Sequence, residues 1–133
     1  MVLAALTLLF QNCGDVVGKT EAASTMDSRQ IGKNQIEQRY ALIRSLAARD
    51  LACSKDADCV TVPVGSRPCG GPSDYLVTSV HNPDLEQVRA LAVELEMAER
   101  EYNRSNELVG TCDFRMPPET SCGQGLCRRS DQG

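Results

Sequence analysis

Cysteine spacing is the feature that most constrains how this chain of 133 residues can fold. The chain has seven cysteines, and six of them lie in its second half or just before it: Cys53, Cys59, Cys69, Cys112, Cys122 and Cys127. An even set in so short a stretch is typical of an exported domain whose core is reinforced by disulfides. Aromatic residues make up only 4% of the sequence, so large rings contribute little to the core. We therefore predict three disulfide bonds.

The same spacings argue against metal binding and redox catalysis. Structural zinc sites favour two short cysteine knuckles, and only Cys122 and Cys127 come near such a spacing. The chain has no Cys-x-x-Cys pair, and its one histidine, His81, excludes a multi-histidine site. We expect no metal and no cofactor.

The start of the chain predicts export. An apolar run precedes Gln11, and it is far shorter than the ~20 residues that a membrane-spanning helix needs. Its length suits the centre of a signal peptide, which we assign to residues 1–12. Cys13 follows directly, an arrangement that resembles the lipobox of bacterial lipoproteins, in which the cysteine is lipidated. Lipidation of Cys13 would account for the odd seventh cysteine; secretion without a lipid is the alternative.

Periodicity predicts the organisation of the remaining chain. Residues 13–33 are small and polar and are expected to form a lipid-anchored flexible tether, and residues 34–129 to form the disulfide-stabilised domain. Apolar residues recur at helical spacing over 34–53 and 84–107, and β-branched or alternating runs predict strands at 59–64 and 75–80, with two more in the tail. The predicted fold is α+β: two amphipathic helices packed on a short antiparallel sheet.

The sequence leaves the disulfide pairing open, but three pairs are favoured. Cys112 and Cys122 enclose a short loop with prolines, and Cys59 and Cys127 each lie in a strand-like run. Cys53 and Cys69 are then left to each other. In the chain-entropy model the long Cys59–Cys127 bridge would stabilise most, by about 4 kcal/mol.

The loop Gly65–Pro72 is the predicted recognition surface. Prolines and a disulfide would stiffen it, which lowers the entropy cost of binding. Gly70 and Gly71 are expected to allow positive φ in a tight turn, and Arg67 to project from the loop as a basic side chain.

Several classes of function are disfavoured. The net charge is −4 with acids and bases mixed along the chain, so no basic stripe for nucleic acid exists. Ser79, His81 and Asp84 are neighbours in sequence, but no motif supplies an oxyanion hole, and His81 is expected at the surface. The acidic residues of the second helix region are expected to form a solvated face: Glu94, Glu96, Glu99, Glu101 and Glu107.

The order of motifs resembles a group of small exported bacterial proteins of uncharacterised function. The most specific part is the run Cys69-Gly-Gly-Pro72 followed by Tyr75-Leu76, and the similarity extends over about residues 50–129. The resemblance implies export and paired cysteines but no activity. We predict a non-enzymatic, membrane-anchored lipoprotein of the cell envelope, in the periplasm or at the outer membrane, that binds a protein or cell-wall partner. The alternative is a secreted serine-protease inhibitor presenting the Gly65–Pro72 loop.

Overall fold

A computed structural model describes residues 28–130 of the chain. The signal peptide predicted at 1–12, Cys13 and the tether up to residue 27 lie outside the described residues. The regular elements are α1 (Ser28–Ala47), a single 3₁₀ turn (Asp56–Asp58), β1 (Cys59–Val64), β2 (Asp74–Ser79), α2 (Leu85–Ser105), β3 (Thr120–Gly123) and β4 (Leu126–Arg129).

The strands form two separate antiparallel pairs. In the first pair Cys59 lies opposite Ser79, and Val64 lies opposite Asp74. In the second pair Cys122 lies opposite Cys127, and the turn residues Gln124 and Gly125 both have positive φ, as a type I′ hairpin requires. The single sheet expected from the sequence is therefore two small sheets of two strands each.

The apolar core lies between the two helices and the first strand pair. Ile43 of α1, Val64 of β1, and Val88 and Leu95 of α2 are at most 1% exposed. The predicted apolar stripes thus pack together with β1, since their members form one buried cluster. The structure confirms a small disulfide-rich α+β domain.

Helix α2 and strand β1 match the predicted ranges closely, but α1 does not. It begins at Ser28, within the predicted tether, and ends at Ala47 rather than near Cys53. The end has a polar cause: the Ala47 carbonyl accepts hydrogen bonds from Thr78 Oγ1 (2.8 Å) and Asn82 Nδ2 (3.1 Å). These buried donors occupy an acceptor left free at the last turn of the helix, so the chain can leave the helix there.

Two of the three predicted disulfide pairs are wrong. Cys59–Cys127 is confirmed, with Cα atoms 5.3 Å apart. The other bridges are Cys53–Cys122 and Cys69–Cys112, with Cα separations of 5.9 and 5.2 Å, in place of Cys53–Cys69 and Cys112–Cys122. Every bridge therefore joins the stretch 53–69 to the stretch 112–127.

The length of β1 explains why the local pairs fail. Cys53 and Cys59 lie before or at its first residue, whereas Cys69 lies beyond its last residue. Six residues in a strand separate these ends by roughly 16 Å, beyond the reach of any disulfide. Cys122 lies in the hairpin at the first end of β1, where the Thr120 Oγ1 donates to the Cys59 carbonyl (3.3 Å). Cys69, beyond the far end of β1, is therefore out of reach of Cys53. Cys112, which is bonded to Cys69, is likewise out of reach of Cys122.

Candidate functional site

The Gly65–Pro72 loop begins at a point of close backbone approach. Gly65 has φ 74°, and a Cβ there would overlap the Tyr40 hydroxyl and the Glu99 carboxylate. Gly70 and Gly71 also have positive φ, as predicted. Two hydrogen bonds close the turn from Arg67 to Gly71. The Gly70 N–H donates to the Arg67 carbonyl (2.9 Å), and the Arg67 N–H donates to the Gly71 carbonyl (2.9 Å). The loop is a fixed turn.

The Arg67 side chain does not project from this loop, so that expectation is wrong. Its side chain is 13% exposed. The guanidinium donates to the carbonyls of Asp113 (2.5 Å) and Thr111 (3.0 Å), and lies 3.4 Å from the Asp113 carboxylate. The Cys69–Cys112 bridge brings these acceptors within reach, and a charged donor forms strong hydrogen bonds with them.

The segment that Arg67 contacts is the strongest candidate for recognition, and we call residues 111–116 the held segment. Besides the two carbonyls bound by Arg67, the Arg115 carbonyl accepts from the Tyr75 hydroxyl (3.2 Å). The Arg115 guanidinium in turn donates to the Ser73 carbonyl (3.3 Å). Carbonyls of alternate residues, 111, 113 and 115, thus face the domain, which is the pattern of an extended backbone docked by one edge.

The other edge of the held segment has no bonded neighbour in the part of the chain that the structure describes. Within residues 28–130, no hydrogen bond involves the backbone of Cys112, Phe114 or Met116. Phe114 is 84% exposed and Met116 is 71% exposed. Residues two apart on an extended chain share a face, so we expect these two side chains to form one exposed surface. The sequence analysis did not predict this surface. The pattern that could have indicated it is the alternation of Phe114 and Met116 with the charged residues Asp113 and Arg115 directly after a cysteine.

Glu99 departs from the predicted solvated face. Its Oε2 accepts hydrogen bonds from the Tyr40 hydroxyl (2.7 Å), the Ser66 amide (2.7 Å) and Ser73 Oγ (3.0 Å). Burial, reinforced by this carboxylate, raises the pKa of Tyr40 above its ordinary value. The acid joins both helices to the two ends of the Gly65–Pro72 loop, so it fixes the loop that carries Arg67. Glu94, Glu101 and Glu107 are exposed, as predicted, and Glu96 is partly exposed.

Ser79, His81 and Asp84 each have a different partner. Ser79 Oγ donates to the Ala52 carbonyl (2.5 Å), and Asp84 pairs with Arg49 (2.8 Å). The His81 ring is more than half exposed, as predicted, with Nε2 3.6 Å from Asp58 Oδ2. The structure therefore brings together no relay from these three residues.

The cysteine sulfurs form the one tight cluster of metal-type ligands among the described residues. Sγ atoms of Cys53, Cys59 and Cys127 lie within 4.8 Å of one another. All three belong to disulfides, and a bridged sulfur is not the thiolate that binds zinc. In this oxidised form the cluster consists of two neighbouring disulfide crosslinks.

A groove of about 410 Å³ lies between α1 and α2 and includes Tyr40 and Tyr102 in its wall. Its charged residues Lys33 and Glu37 face each other at 3.9 Å across one helical turn. The Glu99 oxygen at its base already accepts three hydrogen bonds. Glu99 Oε2 and the Lys33–Glu37 pair are therefore already engaged within the protein.

Comparisons place no known protein beside this chain: no protein-family model, curated protein or solved structure matches it. Neither helix of residues 28–130 combines the length and apolar character required to cross a membrane.

Proposed function

We propose that this chain is an exported, lipid-anchored and non-enzymatic protein of the bacterial envelope that binds a protein partner through the held segment. The single observation that carries the proposal is the placement of Phe114 and Met116. Both are largely exposed on a backbone that hydrogen bonds fix at residues 111, 113 and 115. Large apolar side chains exposed together mark interaction surfaces, and a rigid backbone loses little entropy on binding.

Export is supported by the oxidised cysteines. Three disulfides in one small domain are typical of proteins that fold in an oxidising compartment. The apolar run before Cys13 supplies the signal, and a lipid on Cys13 removes the thiol that has no partner among the other six.

A protein is favoured over cell-wall material as the ligand. Phe114 and Met116 present large, exposed apolar side chains, which suit the apolar surface of a protein partner. A non-enzymatic role is supported by the satisfied state of the reactive groups: Ser79 and Glu99 are both engaged in structural hydrogen bonds.

Anchoring is tested by metabolic labelling of cells with an alkyne fatty acid. The full chain should carry the label and sediment with membranes, and Cys13→Ala should lose both properties. Labelling that persists in the alanine variant would contradict lipidation at Cys13.

Binding is tested by a photo-crosslinking amino acid placed at position 114, with position 93 as the matched control. Val93 is an exposed apolar residue on α2, far along the chain from the held segment. A protein crosslinked at 114 and not at 93 is then purified. It should bind the wild-type chain and lose at least about tenfold in affinity for Phe114→Ala, with Val93→Ala unchanged. Equal affinities for both variants would contradict the proposal.

The inhibitor alternative, in the form that presents Arg67, has no support from the geometry. An inhibitory side chain must reach a protease pocket, and Arg67 is turned into the domain. The Gly65–Pro72 loop acts as the support of the neighbouring segment.

A further inference from the structure

We propose that the held segment binds in the cleft of a serine protease that prefers large apolar side chains, as an inhibitory strand with Phe114 in the primary pocket. This inference rests on the proposed function, because it names the class of partner for the same segment. The inhibitory segment proposed here is the held segment, and not the Gly65–Pro72 loop that the sequence suggested.

The first argument is the free backbone edge. Proteases bind an extended peptide by hydrogen bonds along one edge, in the manner of an added strand, while one side chain fills a pocket. The held segment is docked to its own domain by the carbonyls of 111, 113 and 115, which leaves the opposite edge for a partner. Phe114 lies in the middle of the segment and is 84% exposed, so the ring needs no rearrangement to enter a pocket.

The second argument is rigidity on both sides of Phe114. Upstream, the Cys69–Cys112 bridge and Arg67 fix the chain. Downstream, Arg115 is held by Tyr75 and Ser73, and the proline after Met116 keeps Met116 extended. After cleavage of an ordinary substrate loop the two new chain ends move apart into solvent. In the held segment, these contacts would keep both ends attached to the domain.

Rigidity matters because of how the protease reaction proceeds. The serine oxygen bonds to the carbonyl carbon of Phe114, the bond from that carbon to the Arg115 nitrogen breaks, and the serine proton passes through the catalytic histidine to that nitrogen. Because Tyr75 and Ser73 retain Arg115, its new amine stays beside the ester. The reverse attack then re-forms the peptide bond and returns the proton to the serine. Hydrolysis is slow, and the complex persists.

A membrane surface is the less suitable occupant. Asp113, next to Phe114, is exposed and its carboxylate is paired at 3.4 Å with Arg67. Burying Phe114 in lipid would draw this carboxylate toward the headgroup boundary and remove its water at a large cost. A protease cleft accepts the Phe114 ring alone and leaves Asp113 at the rim.

The test uses the purified chain with its disulfides intact and two unrelated serine proteases with large apolar pockets, chymotrypsin and subtilisin. The wild-type chain should inhibit at least one of them at equimolar amounts, with Phe114–Arg115 largely uncut after hours. Phe114→Ala should weaken inhibition at least about 100-fold, the loss typical of a binding hot spot. Phe114→Lys should instead inhibit trypsin. Val93→Ala is the matched control and should behave as wild type.

A second variant separates binding from rigidity. Arg67→Gln keeps the fold elements but removes the charged donor from the Thr111 and Asp113 carbonyls. It should be cut at Phe114–Arg115 much faster than wild type while still binding at first. Circular dichroism and a disulfide map confirm that each variant is folded.

Either of two protease results would overturn the inference alone: no inhibition of either protease by the folded wild-type chain, or rapid cleavage at Phe114–Arg115 without inhibition. The proposed function is judged separately by the crosslinked partner. If that partner still depends on Phe114 but no protease is inhibited, the inference fails and the binding module stands. If the partner is indifferent to Phe114, both fail.

Discussion

The helical half of the domain and its C-terminal part are held together by different forces. Among the described residues, the buried apolar side chains other than Cys127 lie between residues 36 and 95, in α1, β1 and α2. From residue 106 to 130 the one buried side chain is Cys127, while Val109, Phe114 and Met116 are more than two-thirds exposed. This part is instead tied down by all three disulfides and by the hydrogen bonds of Arg67 and Tyr75.

The difference shows how a small domain can keep apolar side chains available for a partner. A core holds a segment by burying its apolar residues, which removes them from recognition. A disulfide stabilises mainly by restricting the unfolded chain and makes no demand on which side chains are buried. The C-terminal part can therefore be ordered and still expose Phe114 and Met116.

Removing the two bridges at the first end of β1 should have the largest effect. In the chain-entropy model the Cys59–Cys127 bridge, which spans 68 residues, contributes about 4 kcal/mol. With that bridge in place, Cys53–Cys122 closes only a short ring made of residues 53–59 and 122–127, and it contributes about 3 kcal/mol. The free energy of unfolding should therefore fall by about 7 kcal/mol, most of a typical domain's stability, in the variant that changes all four of these cysteines to alanine: Cys53, Cys59, Cys122 and Cys127. Urea denaturation followed by circular dichroism measures this.

The matched control removes only Cys59–Cys127. Because Cys53–Cys122 closes nearly the same loop, the loss should fall to about 3 kcal/mol. A loss near zero in the four-cysteine variant would show that packing, and not crosslinking, holds the hairpin.

Leu95→Ala tests the core half of the comparison. Leu95 is completely buried, and truncating it should cost about 3 kcal/mol through lost burial and the cavity left behind. Met97→Ala, an exposed change two residues along α2, should alter the free energy of unfolding by less than about 0.5 kcal/mol. Equal losses for the two variants would mean that α2 packs by a different face.

Tyr40→Phe tests the polar link within the helical half. It removes one of three donors to Glu99 and should cost about 1.5 kcal/mol. The raised pKa of Tyr40 means that folding favours its neutral phenol, so this contribution is complete below the ordinary tyrosine pKa of about 10 and is lost as pH rises above it. Stability measured from pH 8 to 10.5 should fall more steeply for wild type than for the variant. Parallel curves would refute the assignment.

Asp58→Asn should have the smallest effect, and the difference from wild type should shrink in acid. The Ser54 and Lys55 amides donate to Asp58 Oδ2 (2.8 and 3.2 Å), and the Ser54 amide is the main cause that lowers the pKa of this carboxyl. A lowered pKa stabilises the fold above about pH 4, the ordinary value for Asp, and the contribution is lost as pH falls below it. The wild type should therefore lose more stability than the asparagine variant between pH 5 and pH 2.5. A larger loss in the variant would contradict this.

The elements that sequence predicted well are those specified by local chemistry. The β-branched run Cys59–Val64 forms β1 over its whole predicted length. Helix α2 follows Asn82, whose side-chain oxygen accepts from the Asp84 amide (2.9 Å), and it buries its apolar stripe. The end of α1 could not be predicted, because its Ala47 carbonyl is capped by Thr78 and Asn82, more than 30 residues away in sequence.

The candidate site was predictable only in part. The rigid Gly65–Pro72 loop and its glycines followed from composition, but the direction of Arg67 depended on carbonyls that the Cys69–Cys112 bridge brings near. Glu99 looked like any exposed helix acid, since nothing local shows that Tyr40, Ser66 and Ser73 will surround it.

By itself, the sequence determined the α+β class, the number of disulfides, the two apolar stripes and the turn at Gly70-Gly71. These features depend on residue type and on spacing along the chain, which act over a few residues. Only the tertiary structure decided which cysteines pair, that Arg67 faces inward, and that Phe114 and Met116 remain outside. Those outcomes depend on distances between segments, and a strand such as β1 places residues close in sequence at opposite ends of the domain.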